Sequence, residues 1–149
     1  MNIVIDGNID RTLKNTLSEA AKFFADRLLD KRVVQSLHLE IDVSSDMTEC
    51  GLCYPNDFCK YPKDFVIELK IDSVEDMLQS LAHEMVHLKQ YAKNQLHYKT
   101  VDGKVQTFWL GKPYKLKKNH NPQFDSPYEI EAYGMEVGLM FHWKTRKCK

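Results

Sequence analysis

The chain carries no excess charge of either sign. Its 21 lysines and arginines balance 21 aspartates and glutamates, which argues against wholesale attraction to nucleic acid or an acidic membrane. It lacks any stretch approaching the roughly 20 apolar residues that cross a bilayer, so no membrane partner is expected. The opening MNIVIDGNID has neither a basic segment nor a long apolar run and does not read as a secretory leader, which points to a cytoplasmic location. Internal repeats and low-complexity tracts are missing as well. Cysteine is scarce: Cys50, Cys53, Cys59 and Cys148 are the full set. In a reducing compartment these are thiols or metal ligands rather than disulfides.

What remains is ordinary for a soluble domain, with 43% hydrophobic and 28% charged residues over 149 positions. One domain spanning 1–149 is expected. Hydrophobic periodicity predicts a short strand at Ile3–Ile5, then a helix over Asp10–Asp30 with Leu13, Leu17, Ala20, Ala21, Phe24 and Leu28 on one face. Leu37, Leu39, Ile41 and Val43 alternate with polar residues, as do Phe65, Ile67, Leu69 and Ile71, which predicts two half-buried strands. Between them Gly51, Pro55, Asn56 and Pro62 read as a loop. A second helix opens at Ser73, with Asp76 as its capping partner. Val101–Val105 reads as a hairpin turn, Lys112–Asn121 as a lysine-rich loop. A last helix starts at Ser126-Pro127, with Glu129 completing a capping box, and runs to about Trp143. The expected class is α+β, a small antiparallel or mixed sheet packed with about three helices.

The second helix carries the chemistry, in the run His83-Glu84-Met85-Val86-His87. Residues four apart on a helix lie one above the other, so His83 and His87 can converge on one ion without bending the backbone. Imidazole nitrogen is a good zinc ligand. Glu84 projects beside that ion and can take a proton from water without occupying a coordination position. Protein ligands, a base and one open position are what a hydrolytic zinc site requires.

A third protein ligand is needed, and a third histidine six residues past His87 is ruled out because Lys93 stands there. His97, His120, Asp125, Glu129, Glu131, Glu136 and His142 are the downstream candidates. The segment Ser126–Tyr133 is the better source. Glu129, with small Ala132 three residues on, suits a helix packed across the first; if Glu129 instead caps its own helix, Glu131 with Gly134 is the alternative.

HEMVH followed by a later E-x-x-A resembles the gluzincin class of zinc metallopeptidases, and the layout is similar to small SprT-like proteins of bacteria and phages, over about Ser73 to Glu136. The resemblance implies a minimal zincin-like fold, zinc held by His83, His87 and Glu129, and Glu84 as catalytic base. It implies a hydrolase acting on a peptide or protein substrate, in the cytoplasm of the host if the chain is phage-encoded. One departure stands out: many gluzincins have an aspartate four residues after the ligand glutamate, orienting a histidine, and here that residue is Tyr133.

Two further features compete for attention. Cys50-Gly51-Leu52-Cys53 with Cys59 resembles half of a structural zinc site, to be completed by Cys148 or His38, against the plainer reading of free loop thiols. Lys112–Lys118 is a solvated basic run that also suits phosphates. A non-catalytic zinc-binding or nucleic-acid-associated interaction module is therefore the alternative to a peptidase.

Overall fold

A computed structural model describes residues 1–146. In chain order the elements are β1 (Asn2–Gly7), α1 (Arg11–Leu28), α2 (Lys31–Ser36), β2 (His38–Ser44), β3 (Gly51–Pro55), β4 (Asp64–Lys70), α3 (Val74–Ala92), β5 (Leu96–Val101), β6 (Lys104–Trp109), β7 (Lys112–Tyr114), α4 (Pro122–Asp125) and α5 (Pro127–Thr145). The architecture is mixed α+β. The first four strands form one sheet in the order β1-β2-β4-β3, and β5-β6-β7 form a second.

The first sheet is mixed. β1 and β4 both pair parallel to β2, and β3 pairs antiparallel to β4 with Cys53 opposite Ile67. β1 and β3 are therefore its free edges. The alternation in β2 and β4 sends Leu39, Ile41, Val43, Phe65, Ile67 and Leu69 into a common core with Leu17, Phe24, Leu81, Met85 and Leu88 of the helices. Each such side chain removed from water contributes on the order of 1.5–3 kcal/mol before chain entropy is counted.

α1 begins where expected, with the Asp10 carboxylate accepting the Leu13 N–H at 2.8 Å. It stops at Leu28 because Leu29 and Asp30 are extended, and a short α2 follows that periodicity alone did not separate. Ser73 caps α3 as anticipated, accepting the Asp76 N–H at 3.1 Å. α3 sits between the sheet, α1 and α5, so its second half is buried almost all round, from Glu84 through Ala92.

Two strands fall in stretches read as loops. β3 lies within the turn-rich 45–63 segment, and β7 covers the start of the lysine-rich run. The β5–β6 turn matches its expectation: Asp102 and Gly103 both have positive φ, 50° and 73°, the conformation of a two-residue hairpin. The same device recurs at Leu110-Gly111, φ 50° and 78°, and creates β7. Among the described residues no helix is long and apolar enough to cross a membrane.

Candidate metal centre

α3 and α5 pack side by side and bring His83, His87 and Glu129 together. The Nε2 atoms of the two imidazoles stand 3.2 Å apart, and Glu129 Oε2 lies 3.1 Å from the first and 3.4 Å from the second. These three residues can hold a metal ion.

The outer nitrogen of each ring is committed elsewhere. His83 Nδ1 donates to Glu136 Oε2 at 2.7 Å, and Glu136 is held in turn by Gln79 Nε2 at 2.9 Å. His87 Nδ1 donates to Gln90 Oε1 at 2.9 Å, and the Gln90 amide donates to Glu131 Oε2 at 2.8 Å and to the Tyr128 carbonyl at 2.9 Å. With both Nδ1 protons so placed, the two Nε2 lone pairs and a carboxylate oxygen face one another. Three acceptors at such distances repel unless positive charge sits among them, as ring protons that then donate to Glu129 or as a metal cation. Burial alone would lower the His83 pKa, but its hydrogen bonds to Glu129 and Glu136 push it up to about 9. Burial would raise the Glu129 pKa, and hydrogen bonds from both histidines hold it down to about 2 instead. The centre is built for positive charge.

The Ser126 capping box does not form. The Ser126 hydroxyl donates to the Pro122 carbonyl at 3.0 Å and makes no cap bond to α5. Glu129 is thus released from its local role and reaches α3. Glu131, the alternative third ligand, lies toward Lys89, whose Nζ is 2.7 Å from its Oε1, and accepts from the Gln90 that holds His87; it is not part of the described metal group. Burial pushes the Glu131 carboxyl up, and its bonds to Lys89 and Gln90 bring it below the usual range.

Tyr133, standing where an orienting aspartate was looked for, packs its ring against His83 at 4.6 Å between centroids. The orienting carboxylate is Glu136. Glu129, Tyr133 and Glu136 repeat along one face of α5 over two helical turns, a spacing that marks Glu136 as a partner of the same centre. Glu136→Gln removes the carboxylate that fixes the His83 ring. We expect metal affinity to fall about 10- to 100-fold by competition titration; unchanged affinity would show that the contact is incidental.

Glu84 is buried, 6% exposed, and shares no hydrogen bond with the triad. Burial raises its pKa to about 7, against the opposing charges of His87 and His83. β3 presses on it: a Cβ on Gly51 would come 2.8 Å from Glu84 Oε1 and 2.9 Å from its Cγ. Glycine at 51 is required by this close approach. Gly51→Ala therefore forces the Glu84 carboxylate or the strand above it to shift.

A cleft of about 490 Å³ opens over the triad, walled by Cys50 and Gly51 at the sheet edge and by Tyr98, Tyr128 and Gln123. Of the remaining candidates, His97 stacks on Phe108 at 5.0 Å, Asp125 accepts the Asn121 N–H at 2.6 Å, and His120 and His142 are exposed. None of these joins the described metal group. The cysteine half-site is also not assembled. β3 carries Cys53 into the core while Cys50 and Cys59 stay exposed, all three as free thiols, and the described residues offer no metal group containing cysteine or His38. Cys148 lies outside the described residues. Lys112, Lys115, Lys117 and Lys118 are exposed on β7 and the loop after it, well suited to solvation. No family model matches this chain, and no curated protein or solved structure is similar to it.

Proposed function

We propose that this protein is a zinc-dependent metallopeptidase. The observation that carries the reading is the meeting of two Nε2 atoms and one carboxylate oxygen at 3.1, 3.2 and 3.4 Å beside a buried carboxylate. A tetrahedral zinc site with bonds of about 2.0–2.1 Å has ligand–ligand edges of about 3.3–3.4 Å, which this triad matches closely. Two imidazoles and one carboxylate also leave the fourth position of a zinc site open, the arrangement of a catalytic centre rather than a closed structural one.

Zinc there supplies Lewis acidity, lowering the pKa of a water to about 7 and polarising a carbonyl oxygen. His83, His87 and Glu129 bind the ion; Glu136 and Gln90 orient the two rings. A Glu84 carboxylate oxygen accepts the proton of the attacking water and delivers it to the leaving amide nitrogen. β3, a free edge of the sheet along the cleft, supports an extended peptide as an added strand, its backbone groups pairing with the substrate. On the same reading the fold is a minimal zincin-like domain of gluzincin type, similar to SprT-like proteins.

The test is incubation of the zinc-loaded protein with an unfolded polypeptide, with mass spectrometry of the fragments. Cleavage that a chelator stops and added zinc restores is expected. A zinc-loaded protein that leaves such substrates whole contradicts the proposal.

A further inference from the structure

A second cavity, of about 760 Å³, lies beside the metal cleft, between the β3–β4 connection and the β5–β6 hairpin. Its size falls in the range of pockets that enclose a ligand group, roughly 300–1,000 Å³. Tyr91, Leu96 and Tyr98 belong to the walls of both cavities, so the two adjoin.

Its lining is aromatic. Tyr54, Phe58, Tyr91, Tyr98 and Phe108 line it, from β3, the β3–β4 connection, α3, β5 and β6 respectively. Of the charged groups around it, Asp57 accepts the Lys63 and Asp64 N–H groups at 3.3 Å, Lys60 lies over the Tyr61 ring at 5.3 Å and Lys99 over the Phe108 ring at 5.2 Å. Phe58 is 97% exposed at the rim, an aromatic ring left in water that a neutral apolar occupant would cover.

We propose that this cavity is the specificity pocket of the same site and receives an aromatic side chain of the peptide substrate. The inference rests on the peptidase reading. Aromatic rings favour edge-to-face and offset contacts with other rings, which an aromatic lining supplies and an aliphatic side chain cannot use. A single buried methylene already discriminates by about 10- to 200-fold in a fitted pocket.

The experiment uses zinc-loaded Glu84→Gln protein, immobilised, and three acetylated, amidated peptide pools degenerate except for a central Phe, Leu or Ala. Retention of the Phe pool should exceed that of the Ala pool by about 30-fold or more, and exceed the Leu pool as well. Phe108→Ala, which removes a wall, and Cys59→Trp, which fills the space from an exposed position, should each erase most of that preference. Either variant suffices if the other misfolds. Equal retention of the three pools, a Leu preference, no retention of any pool, or a Phe preference untouched by both variants overturns the pocket. Cleavage of the same pools by the wild-type protein is read separately. Aromatic binding without cleavage would sink the peptidase and spare the pocket, whereas cleavage indifferent to the central residue would do the reverse.

Discussion

If the protein is the proposed peptidase, replacing Glu84 by glutamine should lower turnover about 10²- to 10⁴-fold, the usual contribution of a positioned general base, while metal uptake should persist. Glutamine keeps the shape of the side chain and fits the same tight space under Gly51, where any larger displacement is resisted by the strand above. It cannot accept a proton. The metal ligands are untouched, because Glu84 shares no hydrogen bond with His83, His87 or Glu129. Burying a neutral amide also costs less than burying a charged carboxylate, so the variant should fold at least as well. Initial rates and metal stoichiometry, measured on the same preparation, check this. Retained turnover with intact metal content would remove Glu84 from the chemistry.

Loss of one imidazole has a larger and different effect. His87→Ala deletes a ligand and leaves Gln90 without its ring partner, so metal binding should be lost together with all metal-dependent activity. The effect is also readable without any substrate. A ligand present at 100 times its Kd stabilises the folded state by about 2.7 kcal/mol, which raises the Tm of a chain this size by about 5–11 °C. Adding zinc to the chelator-treated wild-type protein should give that rise by calorimetry, and His87→Ala should show none. An equal rise in both would place the metal elsewhere.

The part of the centre that was legible in the sequence is the part set by local geometry. His83, Glu84 and His87 lie within a single helix turn, and helix geometry alone fixes their relation. Glu129 was open to two readings because the same residue suits a capping box within α5 and a ligand across to α3; the Ser126 hydroxyl decides it by turning to Pro122. Glu136 is among the candidate ligands the sequence offers, but nothing local marks it as the residue that holds the His83 ring from the outer nitrogen, three residues beyond Tyr133 on the same face. The only signal was the spacing of Glu129 and Glu136.

The fold divides the same way. β2, β4, α1, α3 and α5 announce themselves through alternation or helical periodicity. β3 does not, because Gly51, Cys53 and Pro55 are residues that turns use as readily as strands. Its glycine is demanded by contact with Glu84, far away in sequence. β7 was masked by lysines that are exposed on the outer sheet. A tertiary contact makes β3, whereas the Leu110-Gly111 turn folds β7 back onto β6.

X-ray absorption at the zinc edge of the metal-loaded protein tests the central claim most directly. The account predicts a shell of nitrogen and oxygen only, at about 2.0–2.2 Å, with the scattering signature of two imidazoles. A sulfur shell at about 2.3 Å, or a protein that takes up no zinc, would contradict it.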